Sequence, residues 1–334
     1  MRAEHLQYLR CPKTKRTLEL QSELLEKERV KKGVLTEPIS GHKYPILNFI
    51  PRFVHMNNYA DNFGLEWNKH SRTQYDDSSG FNVSKERFEN ETKWGKKLFD
   101  EVILEAGSGS GRFTKYALET GAMVISFDYS NAVEANYKSN GQDENLLIVQ
   151  ADIYAMPFEF EFFDRVICIG VLQHTPTPKE SFKNLVKIIK KGGHICTDIY
   201  LKSFPKIVLT PKYLIRKFSK RMNPDKLYKL TENYVNFMWP LALLIMKIPK
   251  IGKMINWRLM IADYSRLLKG ADTDTLKEWA ILDTYDMVSP AYDFPVTLKT
   301  FKKWHAEESL VEIDVHYGYN GIEGRAIKKN ICVE

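Results

Sequence analysis

At 334 residues the chain exceeds one minimal α/β domain and leaves room for a sizeable core with appendages. Its net charge of +7 is mild for that size, permitting an acidic substrate or an anionic surface without requiring either. Four scattered cysteines (Cys11, Cys168, Cys196 and Cys332) give no disulfide framework, and Met1 to Thr17 lacks the apolar segment of a secretory leader, so a cytoplasmic protein is expected.

The first 55 residues place Leu9, Leu18, Leu20, Tyr44, Ile46, Ile50 and Phe53 between polar turns, which suits a small β-rich module. Residues 56–97 form a connector unusually rich in aromatics, with Phe63, Trp67 and Tyr75 placed either to pack as a cover or to close a site. From Val102 the signals alternate between strand and helix. VILEAGSGSGRFT runs an apolar strand into a glycine-spaced loop and then a helix, with Phe113, Tyr116 and Ala117 at one-turn spacing and Gly121 as its stop. Gly107, Gly109 and Gly111 let the backbone approach a ligand closely. Glu105 puts a carboxylate at the strand's C-terminal end, where ligands sit in an open parallel sheet. The spacing is GxGxG rather than the dinucleotide pattern, and no GK[ST] follows, so a cofactor without a pyrophosphate fits best.

MVISFD makes a second strand ending in Asp128, 21 residues after Gly107, where a carboxylate can accept hydrogen bonds from ribose hydroxyls. A helix over 132–139 follows, then a strand over 146–149 leading to Asp152, a turn at Met156–Pro157, and a fourth strand, RVICIGV, running on to His174. A helix over 181–190 is expected to stop at Gly192–Gly193 before a fifth strand, HICTDIY. The short connections argue for a doubly wound parallel α/β sheet.

EAGSGSGRF, Asp128, QADIYAMPF, FDRVICIGVLQHT and IKKGGHICTDIY together resemble the class I S-adenosylmethionine-dependent methyltransferases. The resemblance implies a Rossmann-like seven-stranded sheet with an antiparallel last strand, and S-adenosyl-L-methionine as cofactor. It assigns Glu105, Gly107, Gly109 and Gly111 to the methionine part, Asp128 to the ribose and Asp152 to the adenine amino group. Ile153 and Met156 become apolar walls, with Tyr129 and Gly170 at the same strand ends. Segments ahead of the first strand often cover the cofactor in this family, which makes Trp67, Arg72, Thr73 and Gln74 candidates to close the site. The N-terminal stretch, LQYLRCPKTKRTLEL then GVLTEPISGHKYPILNFIPRFV, resembles the zinc-ribbon-like domain of the methyltransferase-activator type. Cys11 remains from the metal set, but Thr14, Glu37 and Ser40 stand at the other three positions, so a degenerate module without metal is expected.

His174 and Tyr200 follow the fourth and fifth strands and are candidate catalytic groups, His174 as a base or as a backbone partner. Asp198 shares a strand face with Tyr200. Asp283, Tyr285, Asp286, Tyr292 and Asp293 cluster in LDTYDMVSPAYDFP, read as a loop, with Asp286 and Tyr292 preferred for substrate recognition. Residues 202–283 form a helical insertion, so the cofactor domain comprises 98–201 and 284–334. Within the insertion, KSFPKIVLTPKYLIRKFSKRMNPDKLYKL is basic and amphipathic, while Val235 to Met246 is apolar but too short to span a bilayer and contains Pro240. A substrate cap, a homodimer interface and a helix lying on a membrane are all consistent with it.

The expected activity is in-line methyl transfer to a small-molecule or sugar-like oxygen or nitrogen, in glycan or secondary metabolism. RNA methylation through the basic insertion, methylation of a membrane-associated lipid or quinone, and a non-catalytic scaffold are the alternatives; lysines interleaved with apolar residues weigh against nucleic acid.

Overall fold

The computed structural model describes residues 1–55, 58–202 and 211–330; Cys332 and the KSFPKIVLT part of the basic stretch from Ser203 onward lie outside the described residues. The β-branched runs become β5 (Val102–Ala106), β6 (Met123–Asp128), β7 (Leu146–Gln150), β8 (Phe163–Cys168) and β9 (Ile189–Ile199), all mutually parallel. Two further strands, β10 (Leu310–Gly318) and β11 (Gly321–Lys328), complete a seven-stranded sheet in the order β10-β11-β9-β8-β5-β6-β7. β11, last in the chain, runs antiparallel to both its neighbours, as expected. The strand order reverses at β5, which opens a crevice at the C-terminal ends of β5 and β8.

Alternation along the strands divides the core in two. Leu104, Ile125 and Leu147 face a cluster that includes Phe182 of α6 (Pro178–Ile188) and Phe301 of α11 (Leu298–Glu307). Ile103, Val124 and Ile148 face a second cluster with Phe88 of α3 (Val83–Thr92) and Phe113 of α4 (Arg112–Leu118). The remaining sheet-side helix, α5 (Val133–Asn140), packs on β7. Before α3 the connector forms α1 (Asp61–Lys69) and α2 (Asp76–Ser79).

The N-terminal segment is a four-stranded antiparallel sheet, β1 (Glu19–Glu26), β2 (Arg29–Thr36), β3 (Lys43–Leu47) and β4 (Ile50–Pro51). It joins the first core through Leu9, Val30 and Ile46, and a parallel bridge between Arg52 and Gln150 sets it against β7, with the Phe53 amide donating to the Gln150 carbonyl at 2.8 Å. The Cys11 thiol lies 3.2 Å from the Tyr44 hydroxyl, while the Glu37 carboxylate accepts from the Ile39 and Ser40 amides of its own turn. Among the described residues, no three His, Cys, Asp or Glu side chains are placed to hold a metal ion.

Two expectations are corrected. Gly192–Gly193 does not stop a helix: α6 ends at Ile188 and the chain enters β9 at once, with the glycines in a bulge between the Phe163–Ile189 and Arg165–His194 pairs. Gly192 has φ +79° and a Cβ on Gly193 would stand 2.8 Å from the Asp164 carbonyl, so a bulge here demands glycine. Likewise Asp283, Tyr285 and Asp286 are not in a loop. They lie on α10 (Thr273–Val288), which Asp272 caps through the Asp274 and Thr275 amides. The insertion supplies α7 (Lys212–Ser219), α8 (Pro224–Met246) and α9 (Gly252–Arg258) besides, and these helices build a third core around Val235, Trp239 and Trp279. Among the described residues, no helix is long and apolar enough to cross a membrane.

Candidate active site

A cavity of about 360 Å³ opens at the C-terminal ends of β5, β6, β8 and β9, roofed by α1 and by the insertion. Gly107 and Gly109 line it at φ +76° and +53°, and their amides are already ordered: Gly107 and Ser108 donate to the Phe127 carbonyl, Gly109 to Asp128 at 3.0 Å. The other Asp128 oxygen accepts from the Ser130 amide and hydroxyl at 2.8 and 2.7 Å. Asp128 and Asp152 both line the cavity, and burial lifts both carboxyls above their ordinary range. Ile153, Gly170 and Tyr129 stand on the same wall, Tyr129 stacked on Tyr59 at 4.7 Å.

The connector covers this end. Trp67 closes over the loop, its indole 3.1 Å from where a Cβ on Gly109 would be. Gln74, also in the wall, is buried with its side-chain carbonyl oxygen unpartnered among the described residues. A buried acceptor without a donor is costly, and a ligand ammonium or amide would supply one. Arg72 and Thr73 turn away: Arg72 pairs with Asp77 at 2.7 Å, and Thr73 bonds Glu278 and His70. Met156 is buried in the core rather than in the cavity wall.

Glu105 and Gly111 stand behind the loop. Glu105 accepts from Thr114 and Ser126, joining β5, α4 and β6, and burial raises its carboxyl to about 7. Gly111 begins α4 at φ +88°, where a Cβ would fall 2.1 Å from the Asn136 side chain.

The wall contributed by α1 and the insertion is acidic and aromatic. Glu66 of α1 is almost fully buried, makes no ion pair among the described residues, and is pushed well above the ordinary carboxyl range by burial and by Asp286 and Asp283. Asp283 is raised to about 7, chiefly by burial. Tyr200 donates to Asp286 at 3.3 Å, and Trp257, Tyr264 and Trp279 complete the wall. Asp293 differs: burial alone would raise it, but Lys212 at 2.9 Å, His174 and Arg216 hold it below the ordinary value. His174 lines the cavity with Nδ1 3.0 Å from the Tyr292 carbonyl and its ring edge-on to Tyr200. Tyr292 itself packs edge-on to Tyr59, outside the wall.

Three groups here escaped sequence reasoning. Glu66 is marked only by its neighbour Trp67. Arg112 follows the last loop glycine, lines the cavity over the Phe113 ring at 4.6 Å, and has no carboxylate at ion-pair distance among the described residues. Arg87 bridges Glu91 and Asp198, the latter at 2.6 Å, and the second Asp198 oxygen accepts from the Gly170 amide. The Arg87–Glu91 spacing of i, i+4 on α3 is the one sequence signal that could have found it.

Strand order, glycine loop, Asp128, Asp152 and the unpartnered Gln74 oxygen fit S-adenosylmethionine. Residues 104–197 match the family described as "Methyltransferase domain", and they form an S-adenosylmethionine-dependent methyltransferase domain. Ubiquinone biosynthesis O-methyltransferase of Coxiella burnetii (strain Dugway 5J108-111) is 26% identical over 140 residues, covering 41% of this chain and 57% of that protein. Demethylmenaquinone methyltransferase of Clavibacter sepedonicus is 28% identical over 96 residues, 28% of this chain and 39% of that one. The chain thus spans little more than half the length of the first of these relatives and less of the second. A solved structure from Methanococcus maripaludis, described as "a putative s-adenosyl-l-methionine-dependent methyltransferase", superposes with TM-score 0.45 at 14% identity, over 84% of this chain and 99% of that chain.

Proposed function

We propose that the whole chain transfers a methyl group from S-adenosylmethionine to an oxygen or nitrogen of a small polar acceptor. The observation that carries this reading is the shared cavity, lined both by the glycine loop and by Glu66, Asp283 and Asp286. When bound, the cofactor supplies an electrophilic methyl. Gly107, Gly109 and Asp128 would hold its amino acid and ribose, Asp152 its base, and Gln74 would accept from its ammonium. Arg112 suits a carboxylate. Trp67 and α1 exclude water, which strengthens every charge interaction inside. Nucleophile activation needs a proton acceptor, and His174 and the Asp286–Tyr200 pair both face the cavity. The carboxyl groups of Glu66, Asp283 and Asp286, without a cation at ion-pair distance among the described residues, favour an acceptor rich in hydroxyl or amino groups, a glycan-like compound among them.

A quinone-type phenol is the second reading, favoured by the names of the relatives and by an aromatic lining able to stack a ring. Calorimetry with S-adenosylmethionine, followed by an acceptor screen scored on release of S-adenosylhomocysteine, tests both. Micromolar cofactor binding and turnover with a hydroxylated or amino acceptor are expected. Absence of cofactor binding overturns the proposal, and turnover confined to phenolic quinone precursors selects the second reading.

A further inference from the structure

We propose that the outer face of the helical insertion docks on an anionic lipid surface. Helix α8 carries two apolar stripes. The inner one, with Val235, Trp239 and Ala242, is buried in the insertion's own core. The outer one, Leu230, Tyr234, Phe237, Leu241, Leu244 and Ile248 in the turn beyond, recurs every three or four residues and is exposed, Phe237 by 82% and Leu244 by 62%. The same insertion also exposes Leu214 and Phe218 on α7, and Met254 on α9, which packs against α8; Phe218 is 77% exposed. The Tyr234 hydroxyl donates to the Leu259 carbonyl, which keeps the end of α9 beside the stripe. Scattered exposed apolar side chains need no explanation, whereas a continuous stripe on one helix face marks a contact.

Charge selects the occupant. Residues 212–258 hold eleven Lys and Arg against two Asp and Glu, in a chain whose whole net charge is +7. The positive charge of the molecule is therefore concentrated in this insertion. At 100° per residue, Lys226, Lys229 and Lys247 fall on the flank of the outer stripe. A second copy would bring the same excess charge to the same face. RNA would satisfy the lysines and leave Phe218, Phe237 and Leu244 against water. A leaflet with anionic head groups above acyl chains satisfies both sets, with the helices lying in its plane.

The test is flotation of the full chain with vesicles of phosphatidylcholine alone or mixed in equal parts with phosphatidylglycerol. Binding to the anionic vesicles about tenfold or more tighter than to the neutral ones, and its release at high salt, are expected. The combined Phe218→Ser, Phe237→Ser and Leu244→Ser variant should keep the wild-type melting profile and S-adenosylmethionine affinity while losing about tenfold or more in vesicle affinity. Three results overturn the proposal: no binding to anionic vesicles, equal binding to neutral ones, or a solution dimer or RNA complex that the triple variant abolishes while vesicles are ignored. Cofactor binding is read separately, so this proposal and the catalytic one fail independently.

Discussion

The Gly109 amide donates to the Asp128 carboxylate at 3.0 Å, tying the end of the second parallel strand to the middle glycine of the loop. One carboxylate thereby orders the loop and still faces the cavity with one oxygen that accepts a single bond from it. Asp128→Ala is expected to weaken S-adenosylmethionine binding by about tenfold or more, the loss of charge-assisted hydrogen bonds. Calorimetry reads this directly. Unchanged affinity would remove Asp128 from the ribose site.

Arg87 is the buried countercharge of both Glu91 and Asp198. Burial and Asp198 push the Glu91 carboxyl up even so. Removing the guanidinium leaves two carboxylates in a dry environment, so Arg87→Met should cost about 3–5 kcal/mol in urea unfolding. A cost below about 1 kcal/mol would mean that the carboxyls do not depend on Arg87 for their burial.

Glu105 gives a signed pH dependence. Its folded carboxyl lies at about 7 against an ordinary 4.5, so the folded state keeps a proton that the unfolded state releases. Stability contributed by the protonated form is present below about pH 4.5 and is lost as pH rises toward 7. Glu105→Gln abolishes this titration. Between about pH 5 and pH 8 the variant should gain stability relative to wild type, on the order of 3 kcal/mol. Parallel pH–stability curves for the two proteins would refute the assignment.

His174 is one of the two proposed proton acceptors. Its Nδ1 sits 3.0 Å from the Tyr292 carbonyl, which can only accept, so Nδ1 carries the proton in the neutral ring and Nε2 is left basic. Once an acceptor is in hand, His174→Ala should lower kcat by about 100-fold or more with little change in cofactor affinity. If the loss is under about threefold while Asp286→Asn is inactive, the proton goes to Asp286 instead.

Much of this architecture is written locally. Strand periodicity, the GxGxG spacing and the acids at 105, 128 and 152 depend on near neighbours, and those strands form the expected seven-stranded sheet with its last strand antiparallel. The segment around Asp283 misled because Asp, Tyr, Ser and Pro together read as a loop. Trp279 and Tyr285, both buried in the insertion's core, outweigh that local preference and carry the helix to Val288. Gly192–Gly193 misled for the complementary reason: a glycine pair serves a strand bulge as well as a helix end.

By itself, the sequence determined a doubly wound sheet with a glycine loop and carboxylates at its strand ends, because those features follow from periodicity and short spacing. Only the tertiary structure decided which side chains share the cavity. Asn62 of α1 reaches the Ser289 carbonyl at 2.6 Å across 227 positions, and that docking sets Glu66 opposite Asp283 and Asp286. No local pattern encodes such a meeting. It results from α1 packing against α10 with Asn62 and Glu66 turned inward, which traps carboxyls between the two helices, while the outer stripe of α8 stays exposed.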